Sequence, residues 1–292
     1  MPNQVQNLLF GLAYVILAPF LGGLLAGIDR KLTARMQRRK GPPLFQPFYD
    51  VLKLCSKQGI SVNNVQEFYV MGFLLFVVFS GIFFFAHEDI LLVVFTLTLA
   101  SVCLIVAAYS SSSPYSQMGA ERELLQTMSY EPMLLMMAIG FYLTFGTFSL
   151  AEIENGPHIA ITYMPGIFIG LCYILIIKLR KSPFDLSMSH EAHQELVKGV
   201  ATEFSGRTLA MVEVAHWYEN IFLLGFVYLF FVWKQPGSPF LGLAVCAVVF
   251  VLEIVIDNCS SRVKWQRMLT SSWLVSLVAG FVNLLVLMII KK

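Results

Sequence analysis

Apolar residues run along this chain in eight long blocks, at about residues 8–28, 68–87, 90–109, 130–150, 159–179, 209–233, 239–257 and 269–290, separated by short polar stretches. Each block is close to the roughly 20 residues that an α-helix needs to cross a bilayer. The apolar positions are continuous rather than alternating, which argues against tilted barrel strands. The predicted fold class is therefore all-α: an integral membrane protein of about eight transmembrane helices in one multi-pass domain over residues 1–292. Only "HED" (His87 to Asp89) parts the second block from the third, so those two helices are predicted to form a tight hairpin.

Composition agrees with the pattern: 57% of the 292 residues are hydrophobic and 13% charged, which leaves no room for a soluble catalytic domain beside the spans. Charge then orients the chain. Loops one, three, five and seven, with span-end residues such as Lys178, hold 17 of the 20 Lys and Arg, and the opposite face has Lys234, Lys291 and Lys292. Basic loops stay cytoplasmic, so both termini are expected outside. The first block is expected to be retained rather than cleaved as a signal peptide, because its positive charges follow the apolar run.

The first loop, "DRKLTARMQRRKGPPLFQPFYDVLKL", carries Arg30, Lys31, Arg35, Arg38, Arg39 and Lys40 within twelve positions. One reading is a topology anchor. Beyond Pro43, however, Phe45, Phe48, Leu52 and Cys55 recur at helical steps while Gln46, Asp50, Lys53 and Lys57 take the opposite face. That predicts an amphipathic interfacial helix, and with the basic run it makes a floor for a partner or for anionic lipid.

The five cysteines have no CxxC or comparable spacing, so no iron–sulfur cluster is expected on this chain. GxGxxG, P-loop, GxSxG and HExxH patterns are absent. His190 and His193 stand three apart in a polar loop and read as solvated or hydrogen-bonded rather than as metal ligands.

Acidic residues inside the apolar blocks are the candidate chemistry. Glu131 opens the fourth block, Glu213, His216 and Glu219 lie in the sixth, and Glu253 and Asp257 in the seventh. A carboxylate near a helix centre costs roughly 2.5 to 3.5 kcal/mol on insertion, so the central ones need protonation, pairing or hydration. At 100° per residue the sixth-block trio spans an arc of about 120°, and Glu253 and Asp257 lie one turn apart on one face. Two helices thereby offer titratable groups to a shared interior, as structural hydrogen-bonded acids or as a proton relay. The fifth loop adds Asp185, Glu191, Glu195 and Glu203, either an ordinary polar loop or the cytoplasmic mouth of that relay.

Three segments carry a family resemblance: the first loop, "ERELLQTMSYEP" (121–132) and "PFDLSMSHEAHQELVKG…TEFSG" (183–206). In order and position they resemble the signature loops of the NuoH/ND1 membrane-subunit family of respiratory complex I and energy-converting NiFe hydrogenases. Complex I members resemble "GPNxxGPxGxLQPxxD" and "PFDLPEAExELVAG"; here "GPPLFQPFYD" is shorter and "SMSHEAHQ" lengthens the fifth loop. These departures resemble the hydrogenase branch, particularly the Ech-type (group 4) subunit. His216 departs from the Glu of the family's usual "AEY".

The resemblance implies a subunit of a ferredoxin-linked oxidoreductase that anchors a hydrophilic arm and couples its chemistry to H+ or Na+ movement across the cell membrane. Implied partners are a NiFe large subunit, an iron–sulfur small subunit, a ferredoxin-like subunit and an antiporter-like membrane subunit, with no nucleic acid. The NiFe centre and four-iron four-sulfur clusters belong to those partners, and this chain binds no cofactor. By the same likeness Arg30, Arg35, Arg38, Arg39, Asp50, Lys53 and Arg122 contact the arm. Alternatives are a complex I subunit lining a quinone chamber, a formate hydrogenlyase subunit, and a stand-alone secondary transporter. The missing internal repeat argues against the last.

Overall fold

The computed structural model describes residues 2–59, 64–188 and 198–290. Among them the chain is helical, with one isolated antiparallel bridge, Asp89 to Ser149. In chain order the helices are α1 (Pro2–Met36), α2 (Gln46–Ser56), α3 (Asn64–Phe85), α4 (Ile90–Tyr109), α5 (Pro114–Phe145), α6 (Leu150–Glu154), α7 (Pro165–Lys178), α8 (Gly206–Leu229), α9 (Ser238–Cys259), α10 (Trp265–Val275) and α11 (Val282–Ile290). A π-helical turn, Ser276–Phe281, joins the last two into one rod.

Every apolar block coincides with a helix, and the chain is a multi-pass membrane protein. Five helical stretches are long and apolar enough to cross a bilayer: Gln6–Met36, Asn64–Phe85, Ile90–Tyr109, Ser238–Cys259 and Trp265–Ile290. The other three, α5, α7 and α8, are shorter or more polar, and they carry the buried charges described below. α8 is largely wrapped by its neighbours, whereas α5 and α7 still present Leu124, Met128, Ile139 and Ile169 outward.

Two helices are longer than the blocks that announced them. α1 continues past the apolar run through Asp29 to Met36, so the start of the basic segment is helix rather than loop. α5 begins at Pro114, a residue suited to a first helical turn because its missing N–H has no intrahelical partner there, and "ERELLQTMSYEP" is therefore helical, not a loop.

The α3–α4 hairpin forms as expected, turning at His87 with φ of 60°. It is tied to the segment after α5 by backbone bonds, Ile90 N–H to the Phe148 carbonyl (3.0 Å) and Leu150 N–H to the Glu88 carbonyl (3.1 Å). The interior is aromatic: Phe84 meets Phe222 and Phe226 edge-on at 5.7 and 5.6 Å between α3 and α8.

The amphipathic helix is present as α2, with Phe45, Leu52 and Cys55 together on one face. Phe45, Tyr49, Leu52 and Cys55 point outward, while Pro47, Val51 and Leu54 pack toward α8. Asp50, expected on the polar face, pairs from there with Arg30 of α1 at 2.6 Å. Glycines on α1 allow this close approach: a Cβ at Gly27 would run into the Leu44 carbonyl, and one at Gly23 would sit 2.5 Å from the Phe48 ring.

Candidate functional site

The end of α7 builds the site. Lys181 N–H donates to the Ile176 carbonyl and Arg180 N–H to the Ile177 carbonyl, each at 3.1 Å, while Arg180 adopts φ of 52°. This is the paired 6→1 and 5→2 closure of a Schellman motif with an arginine in the left-handed position where glycine is usual. Ending the helix there turns the cations of "KLRK" apart. Lys178 points down among the spans, Arg180 across to α5 and α8, and Lys181 toward α1.

From these cations runs a chain of charged contacts. Arg180 grips Glu123 of α5 with two bonds, Nε to Oε2 at 2.9 Å and Nη2 to Oε1 at 2.5 Å. Its Nη1 lies 3.2 and 3.3 Å from the ring nitrogens of His216. His216 Nδ1 is 3.2 Å from Glu219 Oε2, and Glu219 Oε1 is 2.9 Å from Lys178 Nζ. A ring carrying its proton on Nδ1 satisfies both neighbours, donating to Glu219 and accepting from Arg180 at Nε2. Lys178 donates in turn to Tyr130 Oη (2.9 Å) and Ser101 Oγ (2.8 Å). Glu123, Glu219 and Lys178 are at most 3% exposed, so each charge depends on its partner rather than on water.

A cavity of about 570 Å³ opens beside this chain of contacts. Glu213, His216, Glu219, Asp257 and Asp185 line it, so five of the sequence candidates do share one interior. Asp257 Oδ1 accepts the Ser182 N–H at 2.7 Å, Asp185 pairs with Arg262 at 3.1 Å, and Lys181 pairs with Asp29 at 3.1 Å. A second cavity of about 220 Å³ lies under α2, and Glu213 and Trp217 line both.

Other candidates fall elsewhere. Glu131 is half-buried on α5 and Glu203 half-buried before α8, and neither lines the cavities. Glu253 lies one turn deeper on α9 than Asp257, buried, and neither carboxylate oxygen has a hydrogen-bond partner among the described residues. Glu191, Glu195, His190 and His193 lie outside the described residues. Conversely, the sequence pattern did not point to Glu123, Arg180, Lys181 or Asp29. It also counts Lys178 as a loop charge, whereas Lys178 is 3% exposed and ion-paired.

Arg30, Arg35, Arg38, Arg39 and Lys53 are exposed along the end of α1, the turn after it and α2. Burial alone lifts the Asp50 carboxyl, but hydrogen bonds from Arg30 and Gln46 and the charges of Arg30 and Lys53 hold it below the usual aspartate range. Arg122 is half-buried, its guanidinium 5.7 Å from the centre of the Trp265 ring. Among the described residues no group of three or more His, Cys, Asp or Glu is arranged to hold a metal ion.

An all-helical membrane protein with a paired chain of charges across its inner helices defines the class. The chain belongs to the NADH dehydrogenase family, whose model matches residues 9–288, the family that the three motifs resemble. It is 29% identical to the NuoH subunit of the NADH-quinone oxidoreductase of Geobacillus kaustophilus (strain HTA426), over 97% of this chain and 94% of the relative. It is 25% identical to Hydrogenase-4 component C of Escherichia coli (strain K12), over 91% of each. The fold matches a chain of the membrane-bound sulfane sulfur reductase, an archaeal respiratory membrane complex, with a TM-score of 0.82 at 24% identity, over 95% of this chain and 99% of that one.

Proposed function

We propose that this chain is the membrane-anchor and ion-coupling subunit of an energy-converting NiFe hydrogenase complex. In this reading ferredoxin-dependent H2 evolution or uptake in the partner subunits drives H+ or Na+ across the cell membrane. The observation that carries the coupling role is the continuous path from Glu123 through Arg180, His216 and Glu219 to Lys178, which links α5, α7 and α8 along the wall of the large cavity. A change in the charge of one member alters the balance of its neighbours, and because the groups are paired in series the change passes along them. The basic end of α1 and the exposed face of α2 then serve as the floor for the hydrophilic arm on the cytoplasmic side, with both termini outside.

A membrane subunit lining a quinone chamber is the second reading, favoured by the likeness to the NuoH subunit of NADH-quinone oxidoreductase. Against it, the Phe48 ring packs between Gly23 and Trp217, 5.2 Å from the latter, where a tunnel between α1, α2 and α8 would open. The small cavity behind it is lined partly by Arg30, Asp50, Lys198 and Glu213, which suits an apolar quinone tail poorly. The test is to isolate the chain with its partners in mild detergent and assay nickel, iron and H2 evolution from reduced ferredoxin. Nickel with ferredoxin-dependent H2 evolution supports the hydrogenase reading. A nickel-free complex that reduces quinone replaces it with the second, and a chain recovered alone removes both.

A further inference from the structure

We propose that Lys181 is a mobile counter-ion shared by two acids, held by Asp29 of α1 when Glu253 of α9 carries a proton and drawn to Glu253 when that proton leaves. The inference rests on the coupling role proposed above for the charge-lined cavity and adds a moving part to it.

Four observations carry it. Lys181 Nζ is 3.1 Å from Asp29 Oδ2, an ion pair without hydrogen-bond geometry, so that Asp29 holds the buried ammonium loosely while the residue itself lines the large cavity. The same ammonium lies 5.3 Å from the centre of the Phe250 ring, which is one turn of α9 from Glu253 and offers a favourable surface on the way across. Glu253 is 1% exposed, and neither of its oxygens has a hydrogen-bond partner among the described residues. A buried carboxylate without a partner is strongly unfavourable, so in this arrangement the group is neutral, and ionising it demands a cation. Asp257, one turn from Glu253 on α9, accepts the backbone N–H of Ser182, the residue after Lys181, at 2.7 Å, which holds Lys181 beside this stretch of α9.

The groups around Glu253 leave few other routes. Asp29 of α1 and Asp257 of α9 are acids, and Cys172 of α7 and Cys246 of α9 are thiols, so none supplies a positive charge. Lys178 and Arg180 are already held by buried Glu219 and Glu123. Lys181 has a flexible four-carbon stem and a compact ammonium, and its partner Asp29 is partly exposed and can be left to water. The movement carries no electrons and breaks no covalent bond between heavy atoms: the proton leaves Glu253 toward the large cavity, whose wall begins one turn away at Asp257, as the ammonium arrives.

The assembled complex, purified in mild detergent, provides the test. A lipid-soluble carbodiimide modifies protonated carboxyl groups in apolar surroundings, and mass spectrometry of the peptide bearing Glu253 reads the protonated fraction, with Glu253→Gln as the unlabelled control. Asp29→Asn releases Lys181 toward Glu253 and is expected to lower labelling severalfold. At an alkaline pH where wild-type Glu253 has begun to lose its label, Lys181→Met removes the cation and is expected to raise labelling, while Lys181→Arg is expected to stay near the wild type. Unchanged labelling in Asp29→Asn, or a shift in the same direction in Asp29→Asn and Lys181→Met, overturns the exchange. If Lys181→Met does not assemble, the Asp29→Asn result decides alone. Labelling in the expected order in a complex that moves no ions would overturn the coupling function and leave the Lys181 exchange standing.

Discussion

Lys178 Nζ lies 2.9 Å from Glu219 Oε1, and both side chains are 3% exposed, a buried ion pair between α7 and α8. Removing one member leaves the other charged and dry, at a cost of about 3–5 kcal/mol, whereas removing both together costs much less. Lys178→Met should therefore lower the melting temperature of the detergent-solubilised complex sharply. Lys178→Met with Glu219→Leu should recover most of the loss. Equal destabilisation by the single and the double variant would mean that the pair is not coupled.

Arg180 holds Glu123 by two bonds at 2.9 and 2.5 Å, a forked contact that an ammonium cannot reproduce. Arg180→Lys keeps the charge and is still expected to loosen the junction between α5, α7 and α8. Hydrogen exchange across residues 176–188 should rise in Arg180→Lys while exchange in the α3–α4 hairpin stays unchanged. The opposite ranking would place the anchoring of this segment elsewhere.

On the other side of the bundle His87 Nε2 is 2.9 Å from Glu154 Oε2, joining the α3–α4 turn to α6. The hydrogen bond to Glu154 raises the His87 pKa, its partial burial opposes the rise, and the Glu154 charge and the Phe85 backbone add to it. A histidine whose folded pKa exceeds its unfolded one stabilises fully below the unfolded value, and the stabilisation is lost as pH rises through the folded value. Melting curves of the complex from acid to alkaline pH should therefore show a loss of stability above the ordinary histidine range. Glu154→Gln should flatten that step, and a step of unchanged size in Glu154→Gln would assign it to another group.

The helices were legible because lipid demands unbroken apolar runs. Helix ends were not: the last turns of α1 and the first four turns of α5 lie among polar residues, and no apolar pattern marks them. The site was legible by halves for a related reason. His216 and Glu219 stand out as polar residues in an apolar run. Their partners do not, since a cation at the end of an apolar block reads as a loop charge, and Glu123 falls before the block that contains Glu131. The overlooked signal was "KLRK" directly after "GIFIGLCYILII", three cations in four positions facing a membrane that already held acids. Only the Schellman turn, with Arg180 in a left-handed conformation, reveals that these cations diverge to three different carboxylates.

Glu213 stands on the wall between the two cavities, half-buried, one turn of α8 before Trp217, which lines both with it. It is not needed to neutralise a buried cation, because Lys178 and Arg180 are already satisfied by Glu219 and Glu123. Replacing it with Gln should therefore leave the assembly and its stability close to the wild type, in contrast to the Lys178 variant. What Gln cannot do is accept and release a proton, so a path that crosses this wall through Glu213 is interrupted. Glu213→Gln is expected to reduce ion movement into proteoliposomes at least tenfold, the scale on which loss of a single proton-transferring group acts. Hydrogenase activity with an artificial soluble donor, which bypasses coupling, should persist. Loss of that activity in an intact complex would remove Glu213 from the path and assign it to the seating of the arm.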